Sequence, residues 1–384
     1  MSGSRSALTL GPERTGPPSP SPTNTAAWLV AKKARLDVGS APYTPPRAGE
    51  IVVKNHAVAI NPLDWMKQVM GDRMFSWISY PFVMGSDLAG EVVEVGAGVT
   101  RFRVGDRVLG HAVGMDKKRN ASAEGAFQTY TVLLAHMASP IPDAMSYEDA
   151  AVLPLGLSTA ACALFQTDQL ALRHPVVAPE PTGETVLVWG GSTSVGSNAI
   201  QLAVAAGYDV VTTASPQNAG YVSRLGAGHV FDYSSATVVD DLVKALRGTT
   251  IAGALAVGTG SAAACSDVVH ACTGAKFVAM ASPAVSFERG PTLAAVLRLV
   301  SSTASLTVSN RRRGVRTRFL FGTSLMGNEV GSAIYVDFLP RALAEGRYVA
   351  APAAKVIGTG LEHIQAGLDV HKKGVSATKI VVSL

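Results

Sequence analysis

Residues 185–196, which read TVLVWGGSTSVG, decide the fold of this 384-residue chain. An apolar run of strand length leads into a glycine cluster, and apolar residues then recur at helical spacing over 194–206. A glycine-rich turn between a strand and a helix is typical of a dinucleotide-binding loop, because the first amides of the helix are free to bind a diphosphate. The plain alternative is a turn that only joins the two elements.

The residues of this loop have separate expected roles. Relative to the pattern G-x-G-x-x-G, we expect Gly191 to make the tight turn and Gly196 to let the helix pack closely on the strand. Thr193 replaces the middle glycine, so either the backbone stands farther from the diphosphate or the threonine hydroxyl donates to it. The predicted diphosphate site comprises Gly191, Ser192, Thr193, Ser194, Val195 and Gly196.

Strands and helices alternate beyond the loop. The pattern predicts strands at 209–214, 230–232, 254–257 and 277–281, and helices at 217–225, 238–246 and 262–271. Such alternation implies right-handed crossovers and a parallel sheet covered on both faces. We therefore predict a doubly wound Rossmann domain, which we place at residues 155–324.

Residues before the loop follow a different pattern. Short β-rich runs at 51–54, 90–96 and 105–110 are separated by glycine turns, which predicts a partly open β-barrel. The fold class is therefore α/β with two domains. Residues 1–24 hold few large side chains and several prolines, which predicts a flexible extension.

The chain after residue 324 has the pattern of two further helices and a last strand. Helical spacing at 333–343 and 361–371 is followed by a closing strand at 379–384.

Composition excludes several classes of protein. Apolar residues make up 47% of the chain and charged residues 16%, so a large core can be buried. The net charge of +5 is too small to require nucleic acid, which is an unlikely partner. Three cysteines cannot build a disulfide framework, which fits a reducing compartment and predicts a cytoplasmic protein. We find no apolar run of about 18 residues, so no membrane span is predicted.

The end of the second strand of the Rossmann pattern indicates the cofactor. A carboxylate there would bind the adenosine ribose 2′-hydroxyl and repel a 2′-phosphate, but the strand runs into Ser215 and Asn218 instead. Tyr221 and Arg224 lie about one helical turn further on and could reach a phosphate. We therefore predict NADPH. The alternative is that Ser215 and Asn218 only cap a helix and that Arg224 is a surface charge.

Several motifs are shared, in order, with a known superfamily. They are NPLDW at 61–65, GSDLAG at 85–90, VVEVG at 92–96, VGDRV at 104–108, GAF at 125–127 and LPL at 153–155. With the barrel-like segment placed before the nucleotide fold, the chain resembles the medium-chain dehydrogenase/reductase superfamily over about residues 26–384. WGGSTSVG at 189–196, FDY at 231–233 and GLEHI at 360–364 are similar to fungal trans-acting enoyl reductases and to quinone-oxidoreductase-like proteins of toxin clusters. The resemblance implies a GroES-like catalytic domain, which we assign to 25–154 together with 325–384.

The zinc alcohol dehydrogenases of this superfamily differ from the chain at their metal ligands. They carry a cysteine where this chain has Asn61, and a His-Glu pair where it has Ser86 and Asp87. An amide and a hydroxyl are poor zinc ligands. We therefore predict no metal, which argues against alcohol oxidation.

A zinc-independent member implies hydride transfer from nicotinamide C4 to the β-carbon of an activated alkene, followed by protonation. By the resemblance, the donors flanking the lost metal site are Asn61, Lys67 and Tyr80, with Asp64 beside them. Lys67 or Tyr80 could give the proton, and Asn61 could bind the carbonyl. The alternatives are a solvated lysine, a core tyrosine and an aspartate that only holds its turn.

The resemblance also implies a set of positions on the cofactor. Thr159, Ala281, Phe321 and Thr323 would face the nicotinamide, and Tyr233 would stack on the adenine.

The sequence predicts an NADPH-dependent reductase of an enone or an acyl thioester, the latter free or carrier-bound. Quinone or alkenal reduction is the nearest alternative activity, and a non-catalytic NADPH-sensing or RNA-binding relative is the alternative from another class.

The basic stretch 311–318 could attract an acidic carrier, although a solvated surface is the simpler interpretation. Both a monomer and a homodimer are compatible with the sequence.

Overall fold

The computed structural model describes residues 22–282 and 292–384, and the backbone alone for 293–296. Most of the predicted extension, residues 1–21, lies outside the described residues. Strand β1 (Asn24–Leu29) begins with a buried residue, Asn24, that the sequence analysis had placed in the extension. The ordered sheet therefore begins one residue earlier than predicted.

A parallel sheet occupies the middle of the chain. Its strands are β9 (Glu184–Trp189), β10 (Asp209–Ala214), β11 (His229–Asp232), β12 (Thr250–Ala256), β13 (Thr273–Gly274), β14 (Phe277–Met280) and β15 (Arg316–Phe319). The order β11-β10-β9-β12-β14-β15, with β13 beside β12, is that of a doubly wound dinucleotide fold. The Rossmann prediction is confirmed, and its switch point lies between β9 and β12, where the glycine loop emerges.

Helices accompany this sheet. They are α3 (Pro154–Phe165), α4 (Ser194–Ala205), α5 (Ala219–Arg224), α6 (Val238–Ala245), α7 (Ser261–Ala271) and α8 (Leu293–Arg313). The sequence analysis did not predict α8, which is rich in serine and threonine, residues that favour helix ends over helix interiors. Arg311–Arg313 form the exposed last turn of α8, which matches the interpretation of a solvated charge run.

A second sheet draws strands from both ends of the chain. It contains β3 (Glu50–Ala59), β5 (Asp87–Val95), β6 (Arg107–His111), β7 (Tyr130–Leu134), β8 (Ala138–Pro140), β16 (Ala353–Thr359) and β17 (Thr378–Ser383). A smaller sheet joins β1 (Asn24–Leu29), β2 (Leu36–Ala41) and β4 (Phe82–Val83). The helices of this part are α1 (Pro62–Met70), α2 (Tyr147–Ala151), α9 (Glu329–Ser332), α10 (Leu339–Ala344), which follows a π-helical turn at 333–338, and α11 (Ile364–Lys372).

Strand β17 has the largest consequence for the site. It pairs antiparallel with β3, so the C-terminal strand lies inside the N-terminal sheet. Its apolar residues Ile380, Val381 and Val382 are fully buried, which fixes the register. That register carries Lys379 into the interior beside the end of β3.

One helical stretch among the described residues, Tyr147–Phe165, is long and apolar enough to cross a membrane. However, 83% of that window is buried inside the protein, as in a core helix.

Candidate active site

The glycine loop lies between β9 and α4, and its tight turn is at Gly190. Gly190 has φ +84°, and a Cβ there would lie 2.7 Å from the Val257 carbonyl oxygen. Gly191 does not have a positive φ; it is restricted because a Cβ would lie 2.2 Å from the Thr212 hydroxyl oxygen. The prediction that Gly191 makes the turn is therefore corrected by one residue. Both positions require glycine, for different reasons.

Gly196 allows the helix to approach the strand. A Cβ at this position would lie 2.2 Å from the Gly190 carbonyl oxygen and 2.7 Å from the Gly191 Cα. Both neighbours are backbone atoms, so they cannot move aside without moving the loop. The close packing expected of Gly196 is present.

We expect Gly196→Ala to weaken dinucleotide binding by about 10- to 100-fold. The loop must shift to admit the Cβ, and losing one amide hydrogen bond to a charged diphosphate costs about 1.5–3 kcal/mol, where each 1.4 kcal/mol is a factor of about ten in Kd. The measurement is calorimetric titration with NADPH and with NADH. Gly228→Ala is the matched control, because its Cβ would meet only the Val210 carbonyl oxygen at 3.7 Å. Equal affinity for the two variants would show that the close approach does not shape the site.

Thr193 caps α4. Its hydroxyl donates to the Gly190 carbonyl at 2.8 Å and accepts from the Gly196 amide at 3.0 Å. Because the single hydroxyl hydrogen is used inside the loop, the alternative in which Thr193 donates to a diphosphate does not fit this arrangement. Helix geometry leaves the amides of Ser194 and Val195 without intrahelical acceptors, so these are the groups that fit a diphosphate, with Ser192 beside them.

Polar groups cluster at the end of β10. The Asn218 amide nitrogen lies 3.0 Å from the Ser215 hydroxyl oxygen, and Arg224 is exposed on α5 with its guanidinium lying back toward Gly220. Tyr221 differs from the expectation: its hydroxyl lies 2.8 Å from that of Ser197, which donates to the Gly191 carbonyl. Tyr221 therefore supports the glycine loop from behind instead of reaching toward Ser215.

The positions expected around the nicotinamide come together in part. Thr159 on α3 touches the loop 321–323 so closely that a Cβ on Gly322 would lie 2.5 Å from the threonine oxygen. The Thr323 hydroxyl donates to Asp116 at 2.6 Å, which links this loop to the loop that follows β6. Phe321 is 63% exposed beside it.

The remaining two expected positions lie at the ends of their strands. Ala281 directly follows β14, where the neighbouring Ser282 hydroxyl accepts from the Gly258 amide. Tyr233 directly follows β11 and is 51% exposed. Both are therefore at the carboxyl edge of the sheet, the edge at which doubly wound folds bind ligands.

A cleft of about 390 Å³ opens beside the loop 321–323. Its walls are mostly apolar, and among the residues lining it are Phe75, Trp77, Met115 and Leu155. Ser86 also lines the cleft; it is nearly buried, and its hydroxyl has no hydrogen-bond partner in the part of the chain that the structure describes. An unpaired hydroxyl on an apolar wall can bind the carbonyl oxygen of a ligand.

Asn61 is hydrogen-bonded to both members of a buried ion pair, Lys379 and Asp87. The Lys379 ammonium lies 2.8 Å from the Asp87 carboxylate, with both side chains almost wholly buried, and donates to the Asn61 side-chain oxygen. The Asn61 amide donates to the same carboxylate at 2.8 Å, and the other Asp87 oxygen accepts from the Leu155 amide at 2.6 Å. This network links α1, β5, β17 and α3. Within the described ranges, no group of three or more His, Cys, Asp or Glu side chains could share a metal ion.

Two of the expected proton donors are engaged elsewhere. The buried Lys67 ammonium donates to the carbonyls of Gly71, Met74 and Phe75, so it closes the turn after α1. The Tyr80 hydroxyl donates to Asp72 at 2.9 Å, and burial together with this acceptor raises the pKa of Tyr80 to about 12. Neither residue lines the cleft. We correct both expectations, because each proton is already held by an acceptor outside the site.

Asp64 is a fully buried carboxyl beside the ion pair. One of its oxygens accepts from the Asn61 backbone N–H at 2.8 Å, which caps α1. Burial raises the pKa of Asp64 to about 8, with the Asp87 charge adding to the shift. The alternative in which Asp64 holds its own turn matches this geometry.

We expect the Asp64→Asn variant to lose less stability than the wild type between pH 5 and pH 8. In the wild type the folded state keeps a proton that the unfolded chain releases near its ordinary pKa of 3.8. The free energy of unfolding therefore falls as pH rises toward about 8, and asparagine removes this contribution. Urea denaturation at both pH values measures it. Asp106→Asn is the control, because its partly exposed carboxylate accepts the Arg103 amide at 2.8 Å in a similar turn. An unchanged pH dependence in Asp64→Asn would contradict the assignment.

The sequence analysis missed several residues of the site. Asp116, Lys117 and Lys118 line the cleft, and a run of charged residues at 116–119 was the available signal. Arg119 anchors this loop through ion pairs of 2.7 Å with Glu50 and 2.6 Å with Glu124. Lys379 had no signal in its own neighbourhood, because its partners Asn61 and Asp87 are about three hundred residues away in sequence.

Comparison with known proteins gives consistent matches. Residues 47–143 match the family described as the alcohol dehydrogenase GroES-like domain. The chain is similar to dehydrogenase pigH of Monascus ruber, at 56% identity over 368 residues covering 94% of this chain and 100% of that protein. It is also similar to trans-enoyl reductase himH of Aspergillus japonicus, at 36% identity covering 94% of this chain and 97% of that protein. The solved structure of the CurK enoyl reductase has the same fold, with a TM-score of 0.70 at 19% identity, covering 94% of this chain and 99% of that one.

Proposed function

The chain belongs to the medium-chain dehydrogenase/reductase superfamily, and we propose that it is an NADPH-dependent, zinc-independent reductase of activated carbon–carbon double bonds. It is an oxidoreductase, and the superfamily uses nicotinamide cofactors. The observation that carries the proposal is the Ser86 hydroxyl on the apolar cleft beside the loop 321–323, for which residues 22–282 and 292–384 provide no hydrogen-bond partner. The substrate we propose is an enone or an enoyl thioester.

We assign the cofactor site to residues 155–324 and the catalytic domain to 25–154 with 325–384. The sheet of β9–β15 lies in the first range, and the sheet containing β3, β5 and β17 lies in the second. The glycine loop and the free amides of Ser194 and Val195 fit a diphosphate. The end of β10 offers Ser215, Asn218 and Arg224 in place of a carboxylate, which supports NADPH over NADH. The three cysteines are free and buried, in keeping with the cytoplasmic location we propose.

The side chains that stand at the superfamily's zinc-ligand positions support a reaction without zinc. Asn61 and Asp87, which stand where the superfamily's zinc enzymes have ligands, are both bonded to the Lys379 ammonium. A divalent cation placed there would lie against a buried positive charge. The residues present therefore do not fit a zinc ion, and we route no step through one.

Ser86 has the central role in the proposed reaction. A reduced nicotinamide, when bound, supplies the hydride. As the double bond is reduced, negative charge grows on the substrate carbonyl oxygen, and the Ser86 hydroxyl donates a hydrogen bond to it. The apolar walls keep water from competing for that oxygen. Because Lys67, Tyr80 and Thr323 are bonded elsewhere, we take water at the cleft mouth as the source of the proton.

Lys117 and Lys118 support an anionic group on the substrate. Both are exposed, line the cleft and carry ammonium groups for which the described residues provide no acceptor. A thioester on a phosphate-bearing arm, free or on a carrier protein, would place negative charge at this rim.

A cofactor-oxidation screen tests the function. We expect NADPH to be consumed with enones and enoyl thioesters, more slowly with NADH, and not with saturated ketones. Oxidation of simple alcohols alone, or stoichiometric zinc in the active protein, would overturn the proposal.

A further inference from the structure

A contact joins the catalytic domain to the cofactor site at the end of β10. The Asn218 side-chain nitrogen lies 3.0 Å from the Ser215 hydroxyl oxygen and also 3.0 Å from the Ser376 hydroxyl oxygen. Ser376 belongs to the loop 373–377 between α11 and β17, more than 150 residues further along the chain. The catalytic domain thus reaches the place where the adenosine ribose is expected.

The hydrogen bonding leaves two donors available. The amide of Asn218 donates to both serine oxygens, so each serine keeps its own O–H hydrogen. For neither hydrogen is there an acceptor among the residues that the structure describes. Two hydroxyl donors held by one amide, on an exposed surface, are suited to an external anion with several acceptor oxygens.

Backbone conformation and a hydrogen bond position Ser376 within the loop 373–377. Gly374 and Ala377 have positive φ values of +94° and +46°, and the Thr378 hydroxyl donates to the Ser376 carbonyl at 3.0 Å. Lys372 at the end of α11 and Lys373 in the loop are exposed, and so is Arg224 on α5, the helix that follows Asn218. The charges around the two serines therefore favour an anion.

We propose that Ser376 is a specificity-determining residue that completes the 2′-phosphate site of NADPH from the catalytic domain. The inference rests on the proposed function and extends it, since the phosphate would be held by Ser215 from one domain and by Ser376 from the other. The 2′-phosphate then links the two domains, which NADH cannot do.

Calorimetric titration with 2′,5′-ADP, 5′-AMP, NADPH and NADH tests the inference without turnover. We expect Ser376→Ala to weaken 2′,5′-ADP and NADPH about tenfold, the effect of one hydrogen bond to a charged group. Ser376→Asp should weaken them further by repulsion. Both variants should bind 5′-AMP and NADH as the wild type does.

Val375→Asp is the matched control, because it adds the same charge on the same loop at an exposed side chain that takes no part in the hydrogen bonds of Asn218. It should weaken 2′,5′-ADP less than Ser376→Asp does. If wild type binds NADPH more tightly than NADH but the Ser376 variants leave 2′,5′-ADP affinity unchanged, the inference is overturned and the proposed cofactor stands. If wild type prefers NADH, the proposed cofactor itself is overturned.

Discussion

Asp87→Asn is expected to lower the free energy of unfolding by about 3–5 kcal/mol, the usual cost of removing one partner from a buried ion pair. Asparagine can still accept from the Leu155 amide, but it cannot neutralise the Lys379 ammonium, which is 2% exposed. The variant therefore leaves a buried charge without a counter-charge. Urea denaturation followed by circular dichroism measures the loss.

Two further variants separate the buried charge from general damage. Asp87→Asn combined with Lys379→Met removes both charges together and should recover much of the lost stability, because a buried pair is often replaceable as a unit. Asp72→Asn breaks the Lys32–Asp72 pair, which has a similar distance of 2.9 Å but is about half exposed, and should change stability far less. Equal losses for Asp87→Asn and Asp72→Asn would show that burial of the pair is unimportant.

Ser86→Ala is expected to lower kcat/KM for an enone by about 100-fold, the scale found when one donor to a developing oxyanion is removed. The effect should fall mainly on kcat, because the bond to the carbonyl oxygen strengthens as charge grows there. NADPH affinity and thermal stability should stay unchanged, since the Ser86 hydroxyl bonds to no described residue. Steady-state kinetics with NADPH and a titration of the cofactor measure these quantities.

Ser324→Ala is the matched control for this substitution. Ser324 also lines the cleft, but its hydroxyl already donates to the Phe321 carbonyl at 2.8 Å. It should therefore affect catalysis much less than Ser86→Ala. A Ser86→Ala variant with wild-type kcat/KM would remove Ser86 from the mechanism.

Local patterns accounted for the cofactor fold. The strand 185–189, the helix 194–206 and the later alternation correspond to β9, α4 and the observed parallel order, because each of these signals is contained in a few contiguous residues. The position of the glycine loop, between a strand and a helix, was predicted correctly. The positive φ, however, falls at Gly190 and not at Gly191, and the Val257 carbonyl, at the end of the neighbouring strand β12, leaves no room there for a Cβ.

Side-chain roles were predicted less well than elements. Lys67 and Tyr80 stand on the expected segments, yet their polar groups bond to backbone carbonyls and to Asp72. Residue type and spacing cannot show which acceptor a long side chain reaches, because that depends on the turn after α1. The Tyr221 hydroxyl likewise bonds to that of Ser197, a partner that its position in the sequence did not indicate.

The sequence by itself determined the Rossmann sheet, the glycine loop between its first strand and helix, and which residues stand at the expected zinc-ligand and ribose positions, because periodicity and residue identity are local properties. Only the tertiary structure decided that Lys379 meets Asn61 and Asp87, that the Ser86 hydroxyl on the cleft meets no partner among the described residues, and that Ser376 reaches Asn218. Both contacts join residues far apart in the chain. The burial of β17 against β3 fixes the register that brings Lys379 to Asn61 and Asp87 and positions the loop before the strand, because a shift of one residue would turn the buried side chains to the other face.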